Sequence, residues 1–125
     1  MLISAVFLPA APALVPEVSG VGAVELEPVR AAIGAAVADQ AALTTSWWAV
    51  GDDDRPLEDA HLAAATSGSF GGYGVDRAVS LTPAVPADRG TLPTSMLIAG
   101  WAREVAPEVT ITPIVLDAAD RAACR

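Results

Sequence analysis

The chain has 125 residues, of which 53% are apolar but only 5% aromatic, and it carries a formal net charge of −8 with arginine as its only strong base. That length suits one domain with a single core, read here as residues 1–125. The negative field makes nucleic acid and anionic membrane surfaces unfavourable partners, and the lone cysteine, Cys124, excludes an intrachain disulfide. The start, MLISAVFL, has no basic flank and no apolar span of membrane-crossing length, so the expected setting is the cytoplasm.

In chain order, residues 2–8 (LISAVFL) form a continuous apolar run stopped by Pro9, which predicts a strand buried on both faces and hence a parallel sheet. The turn that follows, through Pro9, Pro12 and Pro16, is rigid yet holds no side chain that binds a metal or moves a proton before Glu17. Residues 25–43 place Leu26, Val29, Ile33, Val37 and Ala41 at helical spacing, with Pro28 in the first turn. SWWAVG at 46–51 predicts a second strand, in which the adjacent Trp47 and Trp48 point to opposite faces and pack on both.

DRAVSLTP at 76–83 predicts a third strand. Residues 92–105 predict a helix with Met96, Leu97, Gly100, Trp101 and Val105 roughly on one face, and 109–117 a fourth strand in which Pro113 argues for an edge, a bulge or a strand that starts late. AADRAACR at 118–125 has the pattern of a helix beginning. The sum is an α/β fold: a layered, mostly parallel four-stranded sheet with flanking helices, joined by right-handed crossovers. In such a fold ligands gather outside the carboxyl ends of the strands, which selects the loops at 9–20, at 51–61 and after Asp117, the first two at the same sheet edge.

Three clusters carry candidate chemistry. Asp52, Asp53, Asp54, Glu58, Asp59 and His61 supply enough oxygen and nitrogen for a divalent cation, with Asp52, Asp54 and His61 as the candidate metal ligands. Their spacing matches no defined calcium loop, and in so acidic a chain a solvated turn is the plainer reading. GSFGGYG at 68–74 has neither dinucleotide spacing nor a P-loop lysine, and reads as a glycine turn that lets Phe70 and Tyr73 pack. Thr66, Ser67 and Ser69 lack a nucleophile elbow.

MLISAVFLPAAPALVPE, WWAVG, GSFGGYGVD and LIAGW together resemble the class III extradiol ring-cleavage dioxygenases, specifically B-subunit-like proteins, over the N-terminal half of the family domain. The resemblance implies an Fe(II) held by two histidines and a glutamate, with a further histidine as acid and base. One ligand histidine would fall between the prolines after the first strand, where this chain has Ala10 or Ala11. The second would fall at the next strand end, where it has Gly51 and Asp52. An alanine cannot coordinate, and His61 is the only histidine.

The expected function is therefore a non-catalytic dioxygenase-like domain acting as a structural or interaction unit, with no catalytic residue and no cofactor. The alternative is a small metal-dependent enzyme or binding protein using the acidic loop 52–61. Two full helices cannot cover both faces of a parallel sheet, so the expected partner is a second copy in a homodimer, or a segment equivalent to the family's C-terminal half.

Overall fold

The computed structural model describes residues 1–20, 23–52, 65–84 and 90–116. Its elements are α1 (Pro16–Ser19), α2 (Glu27–Leu43), β1 (Ser46–Asp52), β2 (Ser67–Ser69), β3 (Ala78–Ser80), α3 (Thr94–Arg103) and β4 (Thr110–Leu116). Short 3₁₀ turns occupy Pro12–Leu14, Val24–Leu26 and Phe70–Tyr73.

The long helix forms where the periodicity places it. Glu27 and Pro28 open its first turn, and Ile33 and Val37, four residues apart, are buried on one face. It ends at Thr44, whose backbone turns extended with φ −162°. Val29 stays exposed, so the buried stripe is narrower than the apolar spacing predicts.

β1 and β4 pair in parallel, from Ser46 opposite Thr110 to Asp52 opposite Leu116. Along β1 exposure alternates: Trp47 and Ala49 pack against the core, while Ser46, Trp48, Val50 and Asp52 face out. The two tryptophans do point to opposite faces, but only Trp47 packs. Its Nε1 donates to the Thr44 carbonyl at 2.7 Å, whereas Trp48 is 76% exposed.

β2 and β3 form an antiparallel pair, with Gly68 opposite Val79. The pairing is prolonged by Phe70 N–H to the Arg77 carbonyl at 2.9 Å and Leu81 N–H to the Thr66 carbonyl at 2.7 Å. Gly74, at φ +85°, permits the reversal between the 3₁₀ turn and β3. A further bond, Ile111 N–H to the Leu81 carbonyl at 2.7 Å, ties this hairpin to β4. α3 lies on both pairs and is buried through Met96, Leu97, Ile98, Gly100, Ala102 and Arg103. It approaches β3 closely because Gly100 has no side chain: a Cβ there would lie 3.1 Å from Val79 Cβ. Phe70, Leu81, Met96, Ile98, Val15 and Val109 are the most fully enclosed core side chains.

The α/β class stands, but the single four-stranded sheet does not: the described strands form one parallel pair and one antiparallel pair. The expected third strand exists as β3, and its partner is β2, which overlaps the start of the 68–74 segment whose glycines predict a turn. The expected first strand is absent. Residues 1–10 have no regular structure, with Leu2 83% and Phe7 96% exposed. An apolar run becomes a strand only where a neighbour accepts its backbone hydrogen bonds, and these residues have no such neighbour among the described residues. The expected helix at 118–125 lies outside the described residues.

Candidate functional site

Of the loops expected to carry chemistry, the proline loop is built for packing. Pro12 opens the 3₁₀ turn and Pro16 opens α1, each in a first-turn position where a missing N–H costs nothing. Between them Leu14 and Val15 are fully buried. Arg30 of α2 holds this turn: its Nε donates to the Leu14 carbonyl at 2.7 Å, and Nη2 donates to the Ala13 carbonyl at 3.3 Å and to Ser19 Oγ at 2.9 Å. The rigid proline loop is thus an anchor into the core. Ala10 is exposed, and the Ala11 carbonyl accepts from Leu14 N–H at 3.0 Å.

At the carboxyl end of β1, Gly51 lies against α3. A Cβ at this position would sit 2.4 Å from Ser95 Oγ, 2.5 Å from Ser95 Cβ and 2.9 Å from Met96 Cε. Ser95 Oγ in turn donates to the Asp52 carbonyl at 3.1 Å. Asp52 has an exposed side chain. Asp53, Asp54, Glu58, Asp59 and His61 lie outside the described residues, as does Cys124, and among the described residues no three His, Cys, Asp or Glu side chains come together.

The glycine-rich segment behaves as a packing turn around Phe70, which is buried. Tyr73 is exposed, 6.2 Å from the Phe70 ring between centroids, and its hydroxyl bonds to Thr94 Oγ1. Ser69 Oγ accepts from Gly71 N–H at 3.1 Å, which caps the 3₁₀ turn. Ser67 Oγ is buried without a hydrogen-bond partner among the described residues.

A charged cluster went unread in the sequence. Arg77, before β3, pairs with Glu104 after α3 and reaches Glu17 of α1, with Nε 3.6 Å from Oε1. That separation is an ion pair too long to be a hydrogen bond, which leaves the buried Nε without a hydrogen-bond acceptor among the described residues. Burial pushes the Glu104 carboxyl above its usual range against the pull of Arg77, with Glu17 adding to the rise and Arg103 opposing it. Arg103 is buried and donates to the carbonyls of Val109 and Pro107. Burial lowers its pKa, while Glu104 and Glu108 oppose the change. These groups staple α1, the hairpin and the end of α3 together. A shallow cleft of about 230 Å³ beside them, lined by Arg30, Ile33, Trp101 and Glu104 among others, is smaller than an ordinary ligand pocket.

No described helix is long and apolar enough to cross a membrane. Comparison of the chain with protein-family models, with curated proteins and with solved structures found no match.

Proposed function

We propose that this chain is a non-catalytic, extradiol-dioxygenase-like domain that works as a structural or interaction unit in the cytoplasm. The observation that carries the reading is the pair of positions to which the resemblance assigns iron-ligand histidines. One is Ala10 or Ala11 in the proline loop, which has no donor atom. The other is the end of β1, where Gly51 is packed so tightly on Ser95 that even a methyl group would clash. A facial triad needs three side chains converging with open coordination positions, and Asp52 alone does not make one. The residues do not fit the iron.

The interaction half of the reading is supported by the outer face of the parallel pair. Trp48 and Val50 of β1 stand in register with Thr112 and Ile114 of β4, and Val50 is 64% exposed. Parallel sheets are ordinarily covered on both faces, and a contiguous apolar patch of several hundred Å² marks a contact surface.

The test is anaerobic loading with Fe(II), followed by oxygen-uptake and ring-opening assays on catechol and protocatechuate. No uptake above the buffer rate is expected. Stoichiometric iron with ring cleavage would overturn the reading.

A further inference from the structure

Resting on the reading of the chain as an interaction unit, we infer that its partner is a second copy, and that residues 2–8 of one copy pair along the open edge of β1 in the other.

The hydrogen bonds of β4 show which edge is open. Thr110 N–H donates to the Thr45 carbonyl at 2.8 Å, towards β1, and the next residue, Ile111, donates to Leu81 at 2.7 Å, on the opposite side. Backbone groups alternate sides along a strand, so Pro113, two residues beyond Ile111, turns its nitrogen away from β1. There the missing N–H costs the β1–β4 ladder nothing, and it denies a bond to any strand approaching the outer edge of β4. With Leu81 already holding the start of that edge, β4 is closed.

Among the described residues the same register leaves β1 open. Trp47, Ala49 and Gly51 turn their backbone groups to β4, and Ser46, Trp48 and Val50 turn theirs to the other side. Ser46 N–H is taken by Thr44 Oγ1 at 3.2 Å. Along Trp48 and Val50 no strand lies on this edge among the described residues. Long apolar open edges are templates for another strand, and β1 carries no lysine, arginine or proline to deter one.

Residues 2–8 match that template. They number the same as β1, carry no charged side chain, contain one polar residue, Ser4, and end at Pro9. Residues 2–7 stand in solvent, while from Leu8 onward the chain is fastened down: Leu8 and Ala11 touch the core, Leu14 and Val15 are buried in it, and Arg30 grips the turn. The segment therefore projects from a fixed root without lying on its own β1. Reciprocal exchange about a twofold axis would cover both open features of both copies at once and close the assembly, whereas a one-way donation would leave an edge to propagate.

The test is light scattering and native mass spectrometry of the full chain across the micromolar range, for the native sequence, Val6→Pro and Val50→Pro. The native chain should give a particle of twice 12.6 kDa. Val6→Pro alters an exposed residue outside the core of its own copy, and Val50→Pro removes an outward-facing N–H that the β1–β4 ladder does not use. Each should weaken dimerisation by at least about tenfold, with the circular dichroism of Val6→Pro unchanged. A monomer throughout the range, or a dimer indifferent to Val6→Pro, would overturn the inference, as would a monomer whose amides at 2–8 resist hydrogen exchange, since the segment would then lie on its own sheet. None of these outcomes bears on ring cleavage, so the failure of this inference and the failure of the non-catalytic reading are separable.

Discussion

Ser95 occupies the space that any side chain at Gly51 would need, with its Oγ 2.4 Å and its Cβ 2.5 Å from where a Cβ at Gly51 would lie. The clash involves a rigid Cβ as well as a rotatable hydroxyl, so β1 and α3 would have to separate. Gly51→Ala should cost about 1–3 kcal/mol through overpacking. Ser95→Gly should cost about 1–2 kcal/mol from helix propensity and the lost bond to the Asp52 carbonyl, yet restore most of the loss when combined with Gly51→Ala. Urea denaturation of the four proteins measures the coupling. Additive losses would show that the two residues do not share this space.

Arg103 should be sensitive even to conservative change. Its guanidinium serves the Val109 and Pro107 carbonyls from a buried position, which a single ammonium group cannot copy. Arg103→Ala is expected to cost about 2–3 kcal/mol by leaving carbonyls unsatisfied, and Arg103→Lys to recover less than half of that, read by chemical denaturation.

For Arg30 the expected consequence is local. Arg30→Ala frees the carbonyls of Ala13 and Leu14 and the Ser19 hydroxyl. Amide exchange at Leu14, Val15 and Val18, whose N–H groups close the turn, should accelerate by at least about tenfold, and β4 should exchange as before. Equal acceleration in both would mean that Arg30 supports the whole fold.

The pH dependence turns on Glu104. Its carboxyl titrates above the ordinary value of 4.5 in the folded chain because burial outweighs Arg77. A raised folded pKa means that the native state holds this proton more tightly than the unfolded chain does. The associated stability is present below the unfolded pKa and is lost as pH rises through the folded one. Glu104→Gln removes that loss, so the melting temperature of the variant minus that of the native chain should increase from about pH 4 to about pH 7. A difference that decreases would show that the Arg77 pair outweighs burial.

Where the chain's own spacing dictates structure, the sequence was legible: α2, α3, β1 and β4 all lie within two residues of their periodic patterns. Pro113 pointed correctly to an edge, and the hydrogen bond of Ile111 explains which one. Residues 2–8 were misjudged because periodicity reports apolarity, whereas a strand also requires a partner. β2 was hidden because three residues, Ser67, Gly68 and Ser69, are too short a run to show alternation and look like a turn. Arg103 was overlooked because an arginine in a helix is ordinarily exposed. The signal was its position seven residues after Met96, on the helical face already assigned to the core.

That no metal chemistry stands in place of the iron site the proposed resemblance implies is tested most directly by the metal content of the chain purified without an affinity tag. Inductively coupled plasma mass spectrometry should find no divalent metal in stoichiometric amount, before or after incubation with Fe(II), Mn(II) or Zn(II) and desalting. One tightly held metal per chain, lost on Asp52→Asn or His61→Ala, would contradict it and move the function to the acidic loop.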